Sequence, residues 1–78
     1  MKKYNLVCTE KFTSKKNVEY LKVCFCDNKG VYTYITDQLD GCSSALVGKP
    51  YLTEFGADCY FYFSNGQQRV IITGIEVK

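Results

Sequence analysis

The stretch Glu19-Tyr20-Leu21-Lys22-Val23-Cys24-Phe25-Cys26, followed across Asp27-Asn28-Lys29-Gly30 by Val31-Tyr32-Thr33-Tyr34-Ile35-Thr36, decides the fold. Side chains of a strand point alternately to opposite faces, so Leu21, Val23 and Phe25 share one face and Tyr20, Lys22 and Cys24 the other. The second half repeats the alternation, with Val31 and Ile35 set against Tyr32 and Tyr34, and its β-branched and aromatic residues favour strand over helix. With the loop taken as Asn28-Lys29-Gly30, closed by a left-handed glycine, Val23 lies opposite Ile35 and Cys24 opposite Tyr34. The aliphatic residues are then expected inside, and Tyr20, Lys22, Tyr32 and Tyr34 on one outer wall. A two-residue loop at Asn28-Lys29 would put Val23 opposite Tyr34 and mix oily with polar side chains, because a slip of one residue exchanges the faces. On this reading Gly30 sets the register, and Gly30→Val destabilises the hairpin.

Working outward, Tyr4 to Phe12 reads as a preceding strand with Leu6 and Cys8 on one face, joined to the central hairpin by the polar loop Thr13-Ser14-Lys15-Lys16-Asn17. From Asp37 to Pro50 the alternation gives way to short helical or irregular turns, and Gly48 and Pro50 mark a turn at Val47 to Tyr51. Ala57 to Phe63 then meets Gln68 to Val77 across Ser64-Asn65-Gly66-Gln67, where Asn-Gly is the preferred centre of a type I′ turn. That register sets Phe61 opposite Val70 and Cys59 opposite Ile72 on one face, and Tyr62 opposite Arg69 and Tyr60 opposite Ile71 on the other. The Tyr62/Arg69 pair reads either as a cation–π contact or as a plain cross-strand pair. The sum is an all-β domain over residues 1–78: a small, partly open barrel of five mostly antiparallel strands, with an irregular or helical connection between the third and fourth.

At 78 residues the chain is near the lower limit for a self-sufficient core, and with 46% hydrophobic residues it is too apolar for disorder. Its charge is uneven. Residues 1–36 hold seven lysines against three acids, and residues 37–78 hold three cations against five acids, which permits a polyanion-binding face in the first half. The five cysteines include no C-x-x-C pair and there is no histidine, so no zinc or thioredoxin-type spacing is present and no cofactor is expected. The thiols read as reduced, with Cys8 and Cys59 packed inside. No apolar stretch reaches signal-peptide or membrane-span length, so a cytoplasmic protein with no membrane partner is expected. A histidine-free chain with scattered acids and no phosphate-cradling glycine loop offers no catalytic set, and a non-enzyme is expected.

A binding role has more support. Tyr20, Tyr32 and Tyr34 on one wall, with Lys22 between them and Lys15 and Lys16 on the adjoining loop, suit stacked bases and phosphates; Arg69 is a further candidate. The same tyrosines, or an exposed strand edge, suit a second reading as a small protein that binds and modulates a host protein.

The order of features resembles the small single-stranded-DNA-binding proteins of filamentous bacteriophages, the gene V protein type, which have an OB-like barrel. The features are a first strand, the basic loop at Phe12 to Asn17, the tyrosine-bearing Glu19-Tyr20-Leu21, the turn Gly48-Lys49-Pro50-Tyr51 and a closing hairpin. The resemblance implies cooperative, sequence-independent coating of single-stranded DNA, as in replication, by a homodimer that a phage or other mobile element encodes and that works in the host cytoplasm. Lys15 and Lys16 take the place of the family's basic loop, and Tyr20 that of its stacking tyrosine. Two departures stand out. The family has an aromatic residue at the tip of its last hairpin and basic residues on its final strand, where this chain has Asn65-Gly66, and Gly74 and Glu76. RNA in place of DNA remains open at this level.

Overall fold

The computed structural model describes residues 1–77. Its strands are β1 (Lys2–Thr13), β2 (Glu19–Asp27), β3 (Gly30–Thr36), β4 (Glu54–Ser64) and β5 (Gln67–Val77), with a single 3-10 turn at Cys42–Leu46 before β4. All five strands lie antiparallel in one sheet, in the order β3-β2-β1-β4-β5. Three hairpin-linked strands, with a fourth returning by a long connection beside the first, make a Greek key, to which β5 adds a closing hairpin. The sheet curves until β3 approaches β5, but no hydrogen bonds join those two strands, so the word barrel fits only loosely.

The interior follows from the alternation of β2. Leu21, Val23 and Phe25 are buried, and Tyr4, Leu6, Phe55, Ala57, Val70 and Ile72 close around them from β1, β4 and β5. Leu46 of the 3-10 turn is also fully buried and plugs the core. Aromatic rings meet edge to face at the centre: Phe25 lies 5.0 Å from Tyr4 and 5.9 Å from Phe55. Each such side chain contributes about 1.5–3 kcal/mol by leaving water.

The inner face of β2 is as expected, but β3 is turned over. Asp27 pairs with Gly30, and the register that follows sets Val23 opposite Tyr34 and Phe25 opposite Tyr32. The loop is therefore the two-residue one, Asn28-Lys29. Tyr32 and Tyr34 pack against the core, while Val31 (69% exposed) and Ile35 (46%) face outward. Asp27 supplies the reason, since its Oδ1 accepts hydrogen bonds from the Lys29 N–H (2.8 Å), the Gly30 N–H (3.2 Å) and the Tyr32 hydroxyl (2.9 Å). The turn is thereby capped by its own first residue, as an aspartate can do. Tyr32 in turn lies within 6.3 Å of Tyr4, 5.5 Å of Phe25 and 4.9 Å of Phe61, burying more area than valine would. Gly30 has no positive φ, and a Cβ there would meet nothing, so the register does not depend on a glycine at that position.

A second correction concerns β1. Its register against β2 runs Leu6↔Phe25 and then Cys8↔Cys24, so Val7 forms a bulge. Leu6 stays buried while Cys8 comes out on the opposite, exposed face. The extra residue of a bulge re-aims the side chains that follow it. Cys59, also expected inside, is only half-buried, with its Sγ 3.3 Å from the Tyr4 hydroxyl.

The second hairpin keeps its expected register, with Cys59↔Ile72, Tyr60↔Ile71, Phe61↔Val70 and Tyr62↔Arg69. Asn65 and Gly66 both have positive φ, as a type I′ turn requires.

Candidate nucleic-acid interface

Three successive cross-strand pairs occupy the outer face of the β1–β2 ribbon: Cys8/Cys24, Glu10/Lys22 and Phe12/Tyr20. Alternation along β2 puts Tyr20 and Lys22 on this face because Leu21 and Val23 take the other. The rings of Phe12 and Tyr20 stack, with centroids 5.5 Å apart and planes 23° from parallel. Both residues are half-buried.

Lys15 and Lys16 stand exposed at the end of this ribbon. Their loop is short and tied by one serine: Ser14 N–H donates to the Val18 carbonyl (2.9 Å), and Ser14 Oγ accepts from the N–H groups of Lys16 and Val18 (3.3 Å each). Asn17 completes the turn at φ 62, a left-handed conformation that asparagine tolerates. Lys2 and Lys3 are differently engaged, with Asp27 (3.8 Å) and Glu54 (3.5 Å). Among the described residues, Lys15, Lys16 and Lys22 form no such ion pair.

The expected site is thus divided. Lys15, Lys16, Tyr20 and Lys22 share one side of the molecule, whereas Tyr32 and Tyr34 lie on the inner face of β3 and offer no stacking surface beside Tyr20. Packing against the core gives both rings a structural task, and Tyr32 also joins the aromatic cluster and donates to Asp27. The bond to Asp27, with burial, raises the pKa of Tyr32. Burial raises that of Asp27 too, but hydrogen bonds from Lys29, Tyr32 and Gly30 and the charge of Lys2 outweigh it and hold the carboxyl below its ordinary value.

Arg69 is exposed on β5 and lines a cleft of about 340 Å³ between β3 and β5, where Ile35 and Thr33 form the facing wall. Ile35 is the cross-strand neighbour of Lys22, so Arg69 lies one strand and one gap beyond it. Arg69 pairs with Tyr62 in register, but no cation–π contact joins them; among the described residues the cation found over a ring is Lys2, 5.9 Å from the centre of Tyr4.

Two features escaped the sequence reading. Phe12 closes the first strand in the sequence reading but has no site role there, yet it is the ring on which Tyr20 rests; pairing that strand with β2 would have found it. The other is the free half of β4, where Tyr60, Phe61, Tyr62 and Phe63 are all exposed, Phe63 by 78%. Pairing with β1 covers only Glu54 to Ala57, which leaves this aromatic run without a neighbour on that side. Four consecutive aromatic residues in an otherwise ordinary hairpin were the available signal.

No protein-family model, curated protein or solved structure matches the chain. Among the described residues, no helix is long and apolar enough to cross a membrane.

Proposed function

We propose that this protein binds single-stranded nucleic acid, DNA in the first instance, without regard to base sequence. The observation that carries the reading is the stacked Phe12/Tyr20 pair, flanked by Lys22 and by Lys15 and Lys16 on the adjoining loop. A base laid on the outer side of this pair continues the stack, and any base has a suitable face. The lysines then follow the phosphates and add a salt-dependent attraction. The strand order supports the same reading, since partly open Greek-key barrels of five strands bind oligonucleotides on the β2–β3 face and its flanking loops. From Lys22 the strand would run over Ile35 and Thr33 toward Arg69 and Tyr62. Tyr32 and Tyr34 take no part.

The proposal includes a homodimer encoded by a phage or other mobile element, as the resemblance to the gene V protein type implies. The aromatic residue missing from the tip of the last hairpin is present just before it as Phe63, and the run Tyr60 to Phe63 suits a second copy. A fluorescently labelled oligothymidine strand titrated with protein at low salt tests the reading by anisotropy. Binding that weakens steeply with salt is expected; no binding, or salt-independent binding, overturns it.

One observation favours a second reading, in which the chain modulates a host protein. Among the described residues, β4 and β5 carry three acids and a single cation, Arg69, around the exposed aromatic run, a surface better matched to protein than to phosphate. Pull-down from nuclease-treated host lysate separates the two, because a partner held through nucleic acid is lost.

A further inference from the structure

We infer that Cys8 and Cys24 form a redox-active cross-strand dithiol that reacts with small-molecule disulfides and closes into an intramolecular bond. Three observations and one rule of strand geometry converge on it. The Val7 bulge takes Cys8 out of the core and sets it directly opposite Cys24. Directly opposed residues of antiparallel strands have Cα atoms about 4.5–5.5 Å apart, inside the roughly 4.4–6.8 Å span of disulfides. Cys8 is exposed and Cys24 half-exposed, so an incoming disulfide reaches the pair from solvent. The remaining thiols are worse placed: Cys26 follows Cys24 along the same strand, Cys42 lies in the 3-10 turn, and Cys59 faces Tyr4 on the other side of the sheet.

Cys24 Sγ lies 3.7 Å from Thr33 Oγ1. The neighbouring Cys24 thiol, and to a lesser degree burial, raise the pKa of Cys8 above its ordinary value, which keeps that thiol protonated at rest. Reaction begins when the Cys8 thiol gives up its proton and attacks a disulfide RSSR, forming a Cys8–SR mixed disulfide and releasing RS⁻. Cys24, deprotonated in turn, attacks the Cys8 sulfur, forming Cys8–Cys24 and releasing the second RS⁻. The two protons lost by the protein end on the two RSH products, so the dithiol is oxidised by two electrons and the small disulfide is reduced by two. The inference does not depend on nucleic-acid binding.

The test treats the full-length protein, folded and in guanidinium, with oxidised glutathione, quenches with N-ethylmaleimide, and reads intact mass and peptide maps. Folded protein is expected to lose two of its five thiols, to yield a Cys8–Cys24 linked peptide without retained glutathione, and to recover all thiols in dithiothreitol. Cys24→Ser is expected to trap one glutathione on Cys8, and the unfolded chain to give mixed pairings. An unchanged thiol count, glutathione retained on Cys8 of the wild-type protein, or a link through Cys26, Cys42, Cys59 or another chain overturns the inference.

Discussion

Tyr32 donates its hydroxyl hydrogen to Asp27 Oδ1 over 2.9 Å, and this bond fastens the β2–β3 turn to the aromatic core. The folded carboxyl is held below its ordinary value of 3.8. A depressed folded pKa means stability that is present above the unfolded value and lost as the pH falls through the folded one. Asp27→Asn is therefore expected to lower the urea midpoint at neutral pH. The gap from wild type should close as the pH drops below 3.8, which urea titrations at several pH values check.

Tyr34→Ala is expected to act on folding before it acts on any ligand, because its ring packs on the core. A half-buried ring should cost about 2–3 kcal/mol, less than the roughly 3–5 kcal/mol of a fully buried one. Chemical denaturation measures it, and a variant of unchanged stability would contradict the inward placement of β3.

Tyr20→Ala should leave the fold intact and weaken oligothymidine binding by about 1–3 kcal/mol, roughly 5- to 150-fold. Lys15→Ala and Lys16→Ala should instead flatten the salt dependence, each by about 0.7 in the log–log slope if each lysine meets one phosphate. Anisotropy titrations across a salt series distinguish these effects.

Gly30 and Gly66 should respond unequally to an added methyl group. Gly30→Ala is expected to change stability by no more than about 0.5 kcal/mol, because a Cβ there enters open space at an ordinary φ. Gly66→Ala, at φ +74, should cost about 1–2 kcal/mol. Thermal melts of both variants give the comparison.

Phe63→Ser tests the proposed dimer. Removing two rings from a shared interface costs about 3 kcal/mol or more, over a hundredfold in dissociation constant. Sedimentation should show wild-type dimer and variant monomer with unchanged circular dichroism.

The five strands were legible because period-two alternation and the Asn65-Gly66 turn are local signals, and the second hairpin came out in register for that reason. The inner face of β2 was legible too. The orientation of β3 was not, because hydrophobic pattern alone favoured burying Val31 and Ile35. Asp27, read only as a charge, capped the shorter loop and received the Tyr32 hydroxyl, so the larger rings went in. A single bulge likewise misled the reading of β1, since nothing in Leu6-Val7-Cys8 announces an extra residue. Lys15, Lys16, Tyr20 and Lys22 keep their expected side because all four precede the turn where the register changed.

β1 joins β2 along most of its length but touches β4 through only four residue pairs, Lys2 to Asn5 against Glu54 to Ala57. Each hairpin zips from its own turn, whereas this seam must shut a loop of roughly fifty residues before any of its bonds form. It is accordingly expected to form after the hairpins and to be the weakest hydrogen-bonded seam of the sheet, so amide exchange at Tyr4 should outpace that at Val23.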